Sequence, residues 1–202
     1  MCCHLDFFDQ KPATFRALAT ADGEPITVGP VTIWVRFPSE TEMMADPVIQ
    51  AHAANLWAQT LALCTPTNRH EVGCWILLNT ATDTDSFSAT TNGPPTPNDQ
   101  TSTIYLLPVP PDSPLFPRLT NRTAIYTVAS FHTHSPTTYQ PHGQRIVGPS
   151  PFDTNASETL SVPGLVFDYV ENPETPGEIP AGHPMNAPAQ LYPTLVCPRR
   201  TR

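Results

Sequence analysis

The sequence predicts an α/β or α+β sheet domain over residues 26–170. Two observations carry this prediction. Apolar segments with the residue spacing of strands recur along the chain, and two segments with helix-start signals alternate with them. The chain has 202 residues, which is enough for one such domain with appended segments.

The first predicted strand and helix lie in the N-terminal third of the chain. Residues 26–37 are rich in β-branched side chains at alternating positions, which is typical of a strand. Asp46 followed by Pro47 predicts the start of the clearest helix, since aspartate is a preferred N-cap and proline a preferred first residue. Apolar residues at helical spacing continue over residues 48–64, and Pro66 ends the pattern.

The middle of the chain alternates between apolar and polar segments. Residues 71–78 begin with Glu71 and continue as an unbroken apolar run, which predicts a strand buried on both faces. Residues 80–102 are rich in Thr, Asp, Asn and Pro and predict a long loop. Residues 104–109 are a weaker strand candidate within a proline-rich insertion.

The second half predicts a strand, a loop, a helix and a last strand. Residues 124–131 form the strand, which leads directly into two histidines, and residues 135–149 form the loop. A short helix is predicted over residues 150–160 and a strand over residues 165–170. Prolines recur over residues 171–202, which we interpret as a non-repetitive, extended tail.

These elements predict three parts of the chain. Residues 1–45 are an N-terminal segment with the first strand, residues 46–170 are the main domain, and residues 171–202 are the proline-rich tail. Five cysteines at irregular spacings do not form a disulfide framework, and Cys64 and Cys74 are expected to be buried thiols.

Composition argues against several classes of protein. The net charge is −8 and Lys11 is the single lysine, which argues against nucleic-acid binding because phosphates require a basic surface. No apolar run approaches the roughly 18 residues of a membrane span. The N-terminus has no signal-peptide pattern, so synthesis in the cytoplasm is expected, and export by a signal-peptide-independent system stays open.

Four residues form a candidate metal site. His132 and His134 lie two apart at a strand end, so both imidazoles are expected on one face, where they suit a divalent metal, most often zinc. Asp153 follows after a loop long enough to bring it back, and we expect it to be the third ligand. Glu71 opens a separate central strand and is the candidate general base.

Ser150-Pro-x-Asp153 has a second interpretation. A serine followed by proline and an acidic residue is also the pattern of a helix N-terminal capping box, which requires no metal. The two interpretations are compatible, because a capping serine can also face the site.

The ordered set Glu71 … His132-x-His134 … Ser150-x-x-Asp153 resembles the motif of the JAMM (MPN+) metallopeptidases, Glu … His-x-His … Ser-x-x-Asp. The order of elements is also similar, because a helix leads into the glutamate-bearing strand and the His-x-His ends a later strand. The resemblance covers residues 45–170.

The sequence departs from the family pattern at two points. Ser135 follows the second histidine directly, where the family usually has proline, and the loop to Ser-x-x-Asp is several residues longer than in the eukaryotic deubiquitinases. In this loop, and in residues 162–169, the chain is more similar to the bacterial JAB-like domains of Rhs-type and other polymorphic toxin or effector proteins.

The resemblance implies a JAMM-like fold, with a mixed β-sheet packed against helices, and the activity of a zinc-dependent metallopeptidase or isopeptidase. It implies that His132, His134 and Asp153 hold Zn²⁺, that Glu71 moves a proton from the attacking water to the leaving amine, and that Ser150 hydrogen-bonds the oxyanion. The substrate would be a protein, a peptide or a cell-wall peptide. A bacterial effector would also have a cognate partner or immunity protein.

The sequence leaves one alternative function open and disfavours two others. A non-catalytic MPN-like binding or scaffold domain stays open as the alternative. The Pro-Cys-x-x-Cys motif of zinc deaminases is missing from the sequence, and so is the Gly-x-Ser-x-Gly of α/β-hydrolases, so neither activity is favoured.

Overall fold

The structure, a computed structural model, describes the residues 11–13, 31–33, 38–79, 82, 84–97, 100–106, 125–136, 147–160, 162–170 and 188–194. The chain divides into two units, Met1–Phe37 and Pro38–Arg202. In the first unit, strand β1 (Lys11–Ala13) pairs antiparallel with β2 (Val31–Ile33). Strand β2 lies within the predicted first strand, whose other residues fall outside the described ranges.

The remaining elements belong to the second unit. In chain order they are α1 (Glu40–Ala45), α2 (Pro47–Leu63), β3 (Asn68–Arg69), β4 (Val72–Asn79), β5 (Thr84–Phe87), β6 (Thr91–Asn92), β7 (Thr96–Pro97), β8 (Ile125–Thr133), α3 (Pro151–Leu160), β9 (Gly164–Tyr169) and β10 (Ala189–Pro193). The main sheet has the strand order β10-β9-β8-β4-β5, and β6 also pairs with β4. Strands β8 and β9 run parallel and the other pairs antiparallel, so the α+β fold with a mixed sheet is confirmed.

Helix α2 begins as the sequence predicts. The Asp46 carboxylate accepts hydrogen bonds from the backbone N–H groups of Val48 and Ile49, at 2.7 and 3.1 Å, and Pro47 takes the first helical position. The buried positions of the helix recur at helical spacing, and they are Ile49, Ala53, Leu56, Trp57 and Thr60. This apolar face packs the helix on one side of the sheet.

The sheet has a helix-facing side and a second side that carries the histidines. On the helix-facing side, the Thr60 hydroxyl hydrogen-bonds that of Thr133, and Trp57 packs against the rings of Phe167 and Tyr169. Side chains alternate along a strand, so residues next to Thr133 in the chain point to the opposite face. His132 and His134, on either side of Thr133, therefore share the other face of the sheet.

Short helix α1 was not predicted, although its start signal is present in the sequence. The Ser39 hydroxyl accepts from the backbone N–H of Glu42, and the Glu42 carboxylate accepts from the backbone N–H of Ser39, at 3.3 and 2.8 Å. The pattern Ser-x-x-Glu is thus a complete capping box, and it precedes a helix of only 6 residues.

The predicted loop over residues 80–102 is wrong in part, because it contains strands β5, β6 and β7. Strand β5 is polar and lies at the edge of the sheet, where polar side chains are tolerated and its backbone still pairs with β4. The predicted strand over residues 104–109 is not found for residues 104–106, which are neither helix nor strand. Residues 107–109 lie outside the described ranges.

The prediction of a non-repetitive tail is wrong for β10, which pairs antiparallel with β9 along its whole length. Its Pro193 is the last residue of an edge strand, a position where the missing N–H is tolerated. The thiols of Cys64 and Cys74 are buried and free, as predicted. No helix within the described residues is long and apolar enough to cross a membrane.

Candidate metal centre

Three side chains from two elements converge beside the end of β8. The Nε2 atoms of His132 and His134 each lie 3.2 Å from a different carboxylate oxygen of Asp153. One potential ligand atom from each residue lies within 4.8 Å of the other two. The side chains are mostly buried, with 12, 11 and 17% of their surface exposed for His132, His134 and Asp153. The three residues predicted as metal ligands are therefore brought together.

The local sequence explains this convergence. His132 is in β8 and His134 follows its last residue, so the two imidazoles leave the strand on one face, with ring centroids 5.3 Å apart. Asp153 is in the first turn of α3, and its backbone N–H is held by the Ser150 hydroxyl at 3.3 Å. Its carboxylate in turn accepts from the Ser150 N–H at 2.6 Å. Ser150 and Asp153 thus form the reciprocal cap that the sequence suggested.

The donor set fits a divalent metal ion. Two imidazole nitrogens and one carboxylate oxygen match the three protein ligands of many catalytic metal sites. Two contacts, from His132 and His134 to different oxygens of Asp153, are 3.2 Å long, and one ligand atom from each of the three residues lies within 4.8 Å of the others. The His132, His134 and Asp153 group could therefore hold a metal ion.

The two histidines make the site favourable for a carboxylate anion. Burial by itself raises the pKa of the Asp153 carboxyl. The hydrogen bonds and positive charges of His132 and His134 outweigh burial and hold that pKa well below its usual value. Asp153 is therefore ionised across the physiological pH range, as a metal ligand needs to be.

Glu71 immediately precedes β4, next to this cluster in the sheet. Gly73 of β4 is paired with His132, and the Ser135 hydroxyl donates to the His70 carbonyl oxygen at 3.0 Å. When residues are counted along both strands from the Gly73–His132 pair to the His70–Ser135 contact, Glu71 falls opposite His134. Paired residues share a face of the sheet, so Glu71 lies on the face that carries the two histidines. It is also buried, with 9% of its surface exposed.

Asp168, in β9, was not predicted as part of the site. Its Oδ2 lies 3.1 Å from Nδ1 of His134, and the same oxygen accepts from the Gly148 N–H at 3.0 Å. The side chain is fully buried, with 0% exposed. One signal was present in the sequence, because an aspartate interrupts the otherwise apolar run of β9. The sequence does not indicate which residue Asp168 contacts. The contact with His134 follows from the pairing of β8 with β9.

Comparison of the chain with protein-family models, curated proteins and solved structures finds no match. Fold and site together define an α+β domain with a two-histidine, one-carboxylate cluster that could hold a metal ion. The resemblance to the JAMM metallopeptidases accordingly rests on the ordered motif residues and on the order of the elements.

Proposed function

We propose that the chain is a zinc-dependent metallopeptidase or isopeptidase of JAMM type, which hydrolyses an amide bond. The observation that carries the proposal is the convergence of His132, His134 and Asp153. The register of β4 and β8, continued by two residues, supports a place for Glu71 on the same face of the sheet. A metal site with three protein ligands retains a position for water or substrate, which is the arrangement of catalytic rather than structural zinc.

Each side chain has a distinct part in the proposed reaction. His132, His134 and Asp153 hold the metal ion. When bound, the ion would polarise the substrate carbonyl and make a water molecule more acidic. Glu71 accepts the proton of the attacking water and later donates it to the leaving amine, which is the usual work of a carboxylate base beside a metal.

Ser150 is proposed to stabilise the oxyanion. In its helix cap, the Ser150 hydroxyl oxygen accepts a hydrogen bond from the Asp153 N–H. A hydroxyl has one hydrogen to donate in addition to its acceptor lone pairs, so capping is compatible with donation to a substrate oxygen. A donor aimed at developing negative charge is worth about 10²–10³ in rate in comparable sites.

The proposed substrate is a protein, a peptide or a cell-wall peptide. This substrate class follows from the resemblance, and the three ligand side chains keep 11–17% of their surface exposed. In the bacterial effector setting suggested by the motif, the protein acts together with a cognate partner or immunity protein.

The test compares two glutamate variants of the zinc-loaded full chain. Glu71→Gln removes the proposed base, and Glu158→Gln makes the same change at an exposed position of α3. The substrates are ubiquitin-like isopeptide conjugates, muropeptides and a denatured proteome. We expect cleavage of one class by the wild type and by Glu158→Gln, and a loss of about 10²–10⁴ in Glu71→Gln with zinc content unchanged.

Two results would contradict the proposal. Equal cleavage by Glu71→Gln and the wild type would remove Glu71 from the mechanism. Zinc binding without cleavage of any of the three substrate classes would favour the non-catalytic MPN-like binding or scaffold domain.

A further inference from the structure

We propose that Asp168 is a positioning residue of the metal centre. It fixes the ring of His134 and at the same time joins the two chain segments that carry the ligands. This inference rests on the metal site of the proposed function and is independent of whether the site hydrolyses amides.

The hydrogen bonds of Asp168 define its side chain as an acceptor. The backbone N–H of Gly148 donates to Oδ2 at 3.0 Å, and that of Tyr169 donates to Oδ1 at 2.7 Å. Backbone N–H groups can only donate, and an ionised carboxylate can only accept. Nδ1 of His134, 3.1 Å from Oδ2, is therefore the nitrogen that carries the hydrogen in this pair.

This arrangement determines which nitrogen of His134 faces the cluster. With the hydrogen on Nδ1, Nε2 is the nitrogen that faces the cluster, 3.2 Å from Asp153, and its lone pair becomes available to a metal ion once Nε2 carries no hydrogen. A metal ligand needs that lone pair. Carboxylates that bind the other nitrogen of a ligating histidine are known to fix ring orientation and raise ligand basicity.

Asp168 also contacts residues on both sides of the segment that links β8 to α3. Its Oδ2 holds both His134, which follows β8, and Gly148, which lies just before the cap of α3. Gly148 has a φ of 80°, in the left-handed region that glycine adopts without strain. Asp153 is only a few residues beyond Gly148. One carboxylate oxygen therefore joins the two ligand-bearing segments.

An aspartate is unusual at this position of β9. A fully buried carboxylate is costly to desolvate, so it requires hydrogen-bonding partners. The other residues of β9 are apolar or aromatic and buried. The carboxylate is instead surrounded by donors that orient it toward His134.

The experiment measures zinc affinity by competition with a chelator, together with the visible absorption spectrum of the Co²⁺-substituted protein. Asp168→Asn keeps the volume and one acceptor oxygen but removes the charge, and Asp168→Ala removes both. We expect zinc to bind about 10- to 100-fold more weakly to Asp168→Asn, and more weakly still to Asp168→Ala. The Co²⁺ spectrum should change in both variants, because the ring of His134 is no longer held.

The matched control is Trp57→Leu, which loosens the packing on β9 from the helix-facing side of the sheet. It should lower thermal stability while leaving zinc affinity and the Co²⁺ spectrum as in the wild type. Wild-type zinc affinity and an unchanged spectrum in Asp168→Asn would overturn the inference, and so would the absence of zinc binding by the wild type. A wild type that binds no zinc would overturn both proposals, whereas a zinc-binding wild type without peptidase activity would overturn only the proposed function.

Discussion

Gly73 and His132 lie opposite each other on strands β4 and β8, in a pair that leaves no room for a larger residue. A Cβ atom at position 73 would lie 3.0 Å from Cβ of His132 and 2.5 Å from the carbonyl oxygen of Phe131. The second contact is to backbone, so a rotamer change cannot relieve it. The close approach of the two strands thus depends on a glycine beside a metal ligand.

Gly73→Ala should therefore destabilise the protein and displace His132. We expect the free energy of unfolding to fall by about 1–3 kcal/mol, as for other overpacking substitutions, and zinc affinity to fall with it. Chemical denaturation and zinc competition measure the two effects. Asn92→Ala, at an exposed position of the neighbouring strand β6, is the control and should change little. Wild-type stability in Gly73→Ala would contradict the close approach.

Gly148→Ala tests the left-handed backbone conformation of Gly148, shortly before α3. Alanine in the left-handed region costs about 1–2 kcal/mol, and its Cβ would lie 3.2 Å from the Tyr192 ring. Gly148→Asn carries the same Cβ but tolerates this backbone conformation better, so it should be the less destabilised of the two. Denaturant unfolding of both variants makes the comparison, and the reverse order of stability would argue against a positive φ at this position.

Thr194→Val tests whether the C-terminal strand is part of the domain. The Thr194 hydroxyl accepts from the Gly164 N–H at 2.7 Å and hydrogen-bonds the Ser157 hydroxyl of α3 at 2.8 Å. Valine has nearly the same shape but leaves these buried groups without that partner, at a cost of about 1–3 kcal/mol. Thermal unfolding should show the loss, whereas Gln190→Ala, exposed on β10, should unfold like the wild type. If Thr194→Val unfolded at the same temperature as Gln190→Ala, the contacts of Thr194 would not stabilise the domain.

Stability should fall at alkaline pH because of Cys74. Burial raises the pKa of this thiol to about 12, so folding favours the protonated form. Below about pH 8.5, the pKa of a cysteine thiol in the unfolded chain, the thiol is protonated in both states and the stabilisation is complete. As pH rises from there toward 12, the thiol ionises in the unfolded state only, and the free energy of unfolding falls by at most about 1.4 kcal/mol per pH unit. Melting temperatures between pH 8 and about pH 10 should fall less steeply for Cys74→Ala. Parallel pH profiles of variant and wild type would rule out this thiol as the cause.

The elements that could be predicted are those specified by neighbouring residues. Helix α2 has its start in Asp46 and Pro47 and its buried face in the apolar spacing that follows. Strands β4, β8 and β9 are apolar runs. In the same way, the cap of α3 and the pair of histidines are local patterns, so three candidate ligands could be named before the fold was known.

The parts that could not be predicted depend on partners far along the chain. Strands β5 and β10 are polar or proline-bearing and resemble loops, and only pairing with β4 and β9 makes them strands. Asp168 is conspicuous in an apolar segment, but its role follows from the parallel pairing of β8 and β9 that sets it beside His134. Long-range pairing of this kind leaves no periodic signal in the sequence.

The most direct test of the metal centre is X-ray absorption spectroscopy at the zinc edge of the purified full chain, with the metal content measured in parallel. We predict about one zinc ion per chain with nitrogen and oxygen ligands only, two of them imidazoles at about 2.0–2.1 Å. His132→Ala should lose the ion. A chain that takes up no zinc, or a spectrum with sulfur ligands at about 2.3 Å, would contradict the site formed by His132, His134 and Asp153.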